Sequence, residues 1–528
     1  MSFNLATMLV ESRNARPQAP LLHYGDTTLT NEEVDRASAR IAGWLAAQGL
    51  QRGSRIAVQL PNGPEFVYCY QGALRAGLVT VPLNPLLRPG EVAHQLADSG
   101  ASLLITGGDR LDDAAAARTE AGLPRLPIVS VGAPASAGTS HVHHLVDFGE
   151  LLASQPLERP EPTDPQDTAV IIYTSGTTGR PKGAELTHFQ LYMNCTIAGE
   201  RVGISPDDVI LGALPFFHVF GLSSVLNTAL RFGSPVVLVP RFEPSAVLAE
   251  AARRAVSVFI GVPTMFIAVR QAAAAAGIDL PTLRCGISGG APMPGRSLQD
   301  FEAQFPAAVL LEGYGSTESA SVVTASRSAQ DRRAGSIGKP IWGVEVRIVD
   351  ESGTELPAGA ANVGELHFRG HNVMKGYFRQ PEKTAESLRD GWFHTGDLGY
   401  RDEDGYLYIV DRKKDLVIRG GYNIYPREVE EVLYTHPAVL EAAVYGEPDE
   451  RLGEEVVAAV ALRPGAQATP DEIREFVKDS VAAYKYPRRV HIVDDLPKSA
   501  NGKILKRVLR RSAADGAAAQ AVRTAAGA

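Results

Sequence analysis

Cysteine is scarce in this chain: Cys69, Cys195 and Cys285 are the only three in 528 residues. Three thiols so far apart cannot build a disulfide framework, and no two have the spacing of a zinc pair. A reducing compartment, the cytoplasm, is the expected location. Long apolar runs are also lacking, and none nears the ~18 residues that suggest a membrane span. The opening residues, Met1 to Thr7, have neither the basic start nor the apolar stretch of a secretion signal. Nor is there an excess of positive charge. Lys and Arg number 52 against 60 Asp and Glu, a net charge of −8, which argues against a protein that coats nucleic acid. No internal repeat is visible.

What is present is an ordinary globular composition, 45% apolar and 21% charged. A prior of ~150 residues per domain suggests roughly three or four units. Short apolar runs, Arg55–Leu60, Leu78–Leu83, Ser102–Thr106, Ala169–Tyr173, Val236–Pro240 and Ser257–Gly261, read as buried strands. Amphipathic stretches flank the first of them, Glu32–Gln48 before and Gly63–Ala76 after. That alternation predicts α/β layers with largely parallel sheets. From about Gly335 to Val410 the strands crowd together and glycine turns punctuate them, as in a compact β-rich subdomain. Charge balance then changes: residues 412–528 carry 19 basic and 17 acidic residues, and Lys485–Arg511 nine basic to two acidic. A solvated helix face is the plain reading of that run.

The densest chemical signal is Tyr173-Thr-Ser-Gly-Thr-Thr-Gly-Arg-Pro-Lys-Gly183, directly after an apolar strand. Gly176, Gly179 and Gly183 leave backbone N–H groups free to turn toward an anion. Thr174, Ser175, Thr177 and Thr178 add hydroxyl donors, and Lys182 adds a positive charge. The loop has a phosphate-cradling composition but lacks the Gly-Lys-Ser/Thr of a Walker A sequence.

This loop resembles the signature of the adenylate-forming superfamily, which includes acyl-CoA synthetases, peptide-synthetase adenylation domains and beetle luciferases. Further segments match in order: Leu214–Gly221 (LPFFHVFG), Ile287–Pro292 (ISGGAP), Glu312–Glu318 (EGYGSTE) and Gly364–Gly370 (GELHFRG). Trp392–Leu398 (WFHTGDL), Asp411–Asp415 (DRKKD), Gly420–Asn423 (GGYN) and Pro497–Lys503 (PKSANGK) follow. The likeness spans about residues 10 to 511. It implies ATP, Mg²⁺ and CoA (or the phosphopantetheine of a carrier protein) as cofactors and cosubstrates. It also implies an N-terminal adenylate-forming domain, residues 1–411, and a small mobile α+β C-terminal domain, residues 412–528, whose end beyond 513 reads as a loose Ala/Gly tail.

Each matched residue also has a physical reason. Joining a carboxylate to the α-phosphorus of ATP brings two anions together. A repulsion of about 1 kcal/mol at 4 Å in water becomes about 4 kcal/mol at an effective dielectric near 20. The site therefore needs preorganised positive groups. Glu318 suits a Mg²⁺ ligand; the resemblance implies Thr174 beside the ion and Thr317 on the α-phosphate. Tyr314, flanked by Gly313 and Gly315, can lay its ring against adenine, with Gly290, Ala291 and Pro292 as the opposite wall. Glu312 completes the nucleotide set. Asp397 suits a ribose diol, joined by Arg412. Lys503 follows the turn signal Asn501-Gly502, and a flexible ammonium can arrive at the phosphoryl group and leave again. By resemblance Lys414 is the hinge, and Gly420 and Gly421 border the pantetheine arm, where a missing Cβ permits close approach.

The acyl pocket is expected to draw on His218, Phe220, Gly315, Ser316, Val322 and Val323, without a charged partner for an α-amino group. Two other patterns are set aside. Gly286–Gly290 (GISGG) fits a hydrolase elbow but lacks identifiable His and Asp partners, and His141-Val-His-His144 lies in a Ser/Gly/Ala-rich linker. The expectation is an acid–thiol ligase acting on a medium- or long-chain fatty acid, with an aryl acid second. Loading of a separate acyl carrier protein and a silent scaffold homologue are the alternatives, and a luciferase-type oxygenase is disfavoured. No nucleic acid and no membrane span are expected.

Overall fold

The computed structural model describes residues 3–132, 144–174, 181–420, 422–449, 451–499 and 502–510. Four sheets carry the architecture. The first has nine strands, and its centre is a parallel row: Val309–Tyr314, Cys285–Ser288, Val258–Gly261, Ile210–Gly212, Val236–Leu238 and Pro20–Tyr24. The second has eight strands. Val79–Pro82, Arg55–Gln59, Leu103–Gly107, Ile128–Val131 and Leu145–Asp147 run parallel there, and Thr168–Thr174 turns back into Lys182–Thr187. Their near-continuous burial is the mark of a sheet covered on both faces. The covering helices are well started. Thr30 and Glu33 close a capping box on Asn31–Ala47, and Pro64 opens Pro64–Arg75 where its missing N–H costs nothing.

The predicted β-rich segment is an antiparallel sheet built on Val344–Val349, Gly364–Gly370, Trp392–Arg401 and Leu407–Arg412. The fourth sheet follows from Val417. Its long hairpin Val439–Asp449 and Gly453–Leu462 is joined by the parallel strand Arg489–Val493, and the helices Pro426–Thr435 and Pro470–Lys478 complete this unit. It has its own apolar cluster around Val417, Val429, Leu433, Val444 and Val460, apart from the main core that runs from Leu5 to Leu407.

The basic run 485–511 is not one helix face. It contains a strand, a hairpin and a short terminal helix, and acidic residues pair with much of it. Lys485 meets Glu428 (2.6 Å), Arg489 meets Glu447 (2.6 Å), Lys498 meets Glu441 (2.8 Å) and Lys506 meets Glu430 (2.7 Å). Among the described residues, no helix is long and apolar enough to cross a membrane.

Candidate active site

The parallel row of the nine-stranded sheet aims several carboxyl ends at one cleft, the usual place for ligands in open α/β sheets. Cys285–Ser288 delivers Gly290–Pro292, Val309–Tyr314 delivers Gly315–Glu318, and Ile210–Gly212 delivers His218 and Phe220. Gly290 takes a left-handed φ of 81°. Gly315 is the tightest position: a Cβ there would stand 1.6 Å from the Ser321 carbonyl oxygen. The chain then makes a single 3₁₀ turn, Thr317–Ser319, and passes through Ala320 (φ 54°) and Ser321 (φ 119°). Two consecutive non-glycine residues at positive φ store strain that only a well-braced loop tolerates. Asn194 supplies the brace, accepting from Val322 N (3.2 Å) and donating to its carbonyl (2.8 Å).

That loop fixes Glu318. Tyr377 Oη donates to its Oε1 at 2.9 Å, and Met374 N donates to its carbonyl at 2.7 Å. Tyr377 lies in a short strand against Lys182–Thr187, and the Lys182 ammonium sits 4.1 Å above its ring centre. Burial lowers Lys182, while Glu318 opposes that shift. Thr174 is Lys182's partner in strand register. The structure thus brings Lys182 beside Glu318, with Thr174 opposite Lys182 in register, and adds Tyr377, which the sequence reading missed. Nothing in Met374-Lys-Gly-Tyr377 distinguishes it from an ordinary strand. Ser175, Gly176, Thr177, Thr178 and Gly179 lie outside the described residues.

Asp397 is 5% exposed and holds two partners. Tyr314 Oη donates to its Oδ2 at 2.5 Å, and Arg412 Nε meets its Oδ1 at 3.0 Å. Asp397 and Arg412 are register partners on adjacent strands. Thr395 Oγ1 accepts from Asp397 N and donates to Leu366 O, fixing the turn. Burial and the Asp397 charge push the Tyr314 phenol well above its usual value, so it stays a donor. Glu312, two residues before Tyr314 on the same strand, is buried, accepts from Met293 N at 3.2 Å, and burial raises it to about 7. It braces the Gly290–Met293 loop.

Lys503 enters from the C-terminal unit. Its hairpin is closed by Ser499 N→Lys503 O (2.8 Å) and Lys503 N→Ser499 Oγ (3.1 Å). Thr264 Oγ1 docks it by donating to Gly502 O at 3.2 Å. The lysine passes so close to Gly290 that a Cβ there would lie 3.0 Å from its Cε. Burial, and next the Arg412 charge, lower Lys503 to about 8. His218 is pushed down to about 3 by burial and by Lys503. Its Nδ1 accepts from Phe220 N at 3.2 Å, so the neutral ring carries its proton on Nε2.

Phe220 opens a π-helical segment, Phe220–Asn227, a form common at functional sites. Its ring packs on Gly289, where a Cβ would come within 2.9 Å. Val322 is half-buried, Val323 belongs wholly to the core, and Ser224 Oγ and Ser321 Oγ share a hydrogen bond of 2.7 Å. Ser316 and Ser288 hydroxyls are buried without a protein partner. Ser288, 1% exposed, is no accessible nucleophile.

Gly420 stands apart from this cluster, whereas Lys414 lies within electrostatic reach of Arg412, Asp397 and Lys503. Gly420 is exposed on the hairpin Val417–Ile424 (φ 57°), bonded to Leu452 O at 2.7 Å, and no described contact joins it to Lys503. Lys414 is exposed, and its carbonyl accepts from Arg510 at 3.4 Å. Gly421 and His141–His143 lie outside the described residues.

The donor set is hard oxygen, hydroxyl and cation. It fits a phosphate ester and a hard divalent ion: the second Glu318 oxygen is available beside Lys182, and Lys503 and Arg412 face the same space.

Known proteins resemble this chain over most of its length. The family model for AMP-binding enzyme matches residues 9–378, and that for the AMP-binding enzyme C-terminal domain matches residues 428–503. A long-chain-fatty-acid–CoA ligase of Bacillus subtilis (strain 168) is 36% identical over 526 residues, 96% of this chain and 94% of that protein. A feruloyl-CoA synthase of an Amycolatopsis species is 39% identical over 504 residues, 94% of this chain and 97% of that protein. Among solved structures, ATP-bound MatB from Rhodopseudomonas palustris superposes with a TM-score of 0.86 at 33% identity, covering 97% of this chain and 99% of that one. The apo form of the same protein gives 0.77.

Proposed function

Because the chain belongs to the AMP-binding enzyme family and is an AMP-forming acid–CoA ligase, we propose that it activates a medium- or long-chain fatty acid through the residues gathered in this cleft. The observation that carries the assignment of the site is Lys503, delivered by the C-terminal unit into a pocket shared with Arg412, Asp397 and Glu318. An acid oxygen attacks the α-phosphorus of ATP and pyrophosphate leaves. The thiol sulfur of CoA then attacks the acyl carbon and AMP leaves.

Lys503 neutralises charge on the transferring phosphoryl group, and being pinned by Thr264 it needs little reorganisation at that moment. Asp397 accepts from the ribose hydroxyls, with Arg412 paired to its other oxygen. The Tyr314 ring, tethered to Asp397, presents a face to the base beside Gly290–Pro292. Thr317 and the 174–182 loop donate to phosphate oxygens. Glu318 and Thr174 would hold Mg²⁺, which when bound neutralises phosphate charge. His218, neutral and donating from Nε2, orients the acid carboxylate.

The division at 411/412, with Lys414 as pivot, is part of the same proposal. The separate apolar cluster beyond Val417 supports it. Withdrawal of Lys503 would bring the Gly420–Gly421 hairpin to the tunnel for the second step. The better match to ATP-bound than to apo MatB supports an adenylation posture here.

For the acid, the uncharged character of Phe220 and Val322 favours an apolar tail. The buried Ser224–Ser321 hydroxyl pair favours the second reading, an aryl acid with a polar substituent. Acid-dependent ATP–pyrophosphate exchange over fatty and hydroxyaryl acids tests this directly. Activity that grows with alkyl length supports the first reading, and activity confined to hydroxyaryl acids replaces it with the second.

A further inference from the structure

The antiparallel strands Gly364–Gly370 and Trp392–Arg401 bring together three side chains that the ligase reaction does not use. His367 and His394 are register partners, with ring centroids 3.7 Å apart and planes tilted by 31°. Glu365 joins them, so that one ligand atom of each of the three lies within 4.8 Å of the others. His367 is 2% exposed, yet neither of its ring nitrogens has a hydrogen-bond partner. Its Nε2 stands 3.7 Å from Glu365 Oε1, too far for a hydrogen bond. A buried imidazole left this way is costly unless something else occupies the gap.

We propose that Glu365, His367 and His394 form a binding site for one divalent transition cation of the Zn²⁺ class, separate from the Mg²⁺ position at Glu318. The chemistry selects the ion. Two imidazoles and one carboxylate suit zinc with an open fourth position, whereas Mg²⁺ prefers an all-oxygen shell. Donors held tetrahedrally at zinc distances lie about 3.3–3.4 Å apart; the His367–Glu365 pair, at 3.7 Å, needs a few tenths of an ångström, and His394, within 4.8 Å of both, must move in by up to about 1.5 Å. His394 and Glu365 are only partly buried, which leaves solvent access for the fourth ligand, a water.

The site has one resident competitor. Lys413 Nζ lies 3.5 Å from Glu365 Oε2, while Gly396 N donates to Oε1 at 3.1 Å. Arg347 and Arg389 also face His394. A bound cation takes Lys413's place on Glu365. Because Gly396 precedes Asp397, occupancy reaches the turn that carries the ribose-side carboxylate.

The test uses the full chain after chelation, titrated with Co²⁺, whose four-coordinate complexes have an intense visible d–d band, and with Zn²⁺ by calorimetry. One equivalent should bind, with loss of the band in His394→Ala and in His367→Ala. The triple variant His141→Ala/His143→Ala/His144→Ala should keep it. Thermal melts in chelator check that each variant folds, and added Zn²⁺ should raise the Tm of the wild type but not of His394→Ala. Absence of a stoichiometric site, binding unchanged in a folded His394→Ala protein, or loss of binding in the triple variant alone overturns the proposal.

Discussion

Raising the pH from 7 to 9 should slow the adenylation half-reaction at limiting ATP by discharging Lys503. The ammonium is held at about 8 by burial first and Arg412 second, with Asp397 and Glu318 opposing, against 10.5 for a free lysine. That difference is about 3 kcal/mol against the charged form. About nine in ten molecules carry the proton at pH 7 and about one in ten at pH 9. The assay is acid-dependent ATP–pyrophosphate exchange at saturating Mg²⁺. Its kcat/KM for ATP reports the free enzyme and should fall about tenfold over that range. Bound phosphates favour the ammonium, so the alkaline limb of kcat should lie at higher pH. Lys503→Arg keeps a charge throughout: its rate should be lower but its kcat/KM profile flat. The stability linkage has its own sign. Between about pH 8 and 10.5 the unfolded chain binds the extra proton, so folding gains as pH rises. A wild-type profile flat to pH 9, or an alkaline limb of equal size in Lys503→Arg, would refute the reasoning.

Three further outcomes follow from the same contacts. Tyr377→Phe removes one hydrogen bond to the Glu318 carboxylate but keeps the ring under Lys182. At about 1.5–3 kcal/mol for a bond to a charged group, the Mg²⁺ concentration for half-maximal exchange should rise roughly tenfold or more, and an unchanged Mg²⁺ titration would remove Tyr377 from this role. Asp397→Asn discharges the partner of Arg412 and Tyr314 and should cut kcat/KM for ATP by about ten- to a hundredfold; AMP affinity equal to wild type would contradict it. Glu312 is raised to about 7, so the folded protein keeps a proton that the unfolded chain loses above its ordinary 4.5. Stability should therefore fall by about 3 kcal/mol between pH 4.5 and 7. In Glu312→Gln that contribution should vanish from the denaturation profile, and equal slopes in both proteins would show the carboxylate ionised throughout.

Strands and site motifs were legible in the sequence for different reasons. Arg55–Gln59 and Thr168–Thr174 announce themselves because a sheet buried on both faces needs unbroken apolar runs. Glu318, Asp397 and Lys503 were singled out because each lies beside glycines or turn residues that constrain its neighbours. Contacts made across long sequence separation left no such trace. Tyr377 reaches Glu318 over 59 positions, and Ser224 reaches Ser321 over 97. Neither spacing nor periodicity encodes those meetings. The facing of His367 and His394 depends on the register of two strands, which the sequence does not display. The basic run 485–511 misled for a similar reason: its acidic partners, Glu428, Glu430, Glu441 and Glu447, lie in earlier segments.

The most direct measurement is product formation by Lys503→Ala and wild type in the two half-reactions separately, with the acid that gives the fastest exchange. Wild type should release pyrophosphate only with the acid present and form acyl-CoA and AMP in equal amounts once CoA is added. Lys503→Ala should fail to make acyl-AMP yet convert supplied acyl-AMP to acyl-CoA at a rate near wild type. Equal loss of both steps, or wild-type turnover that ignores CoA and resumes only with a holo carrier protein, would contradict the account.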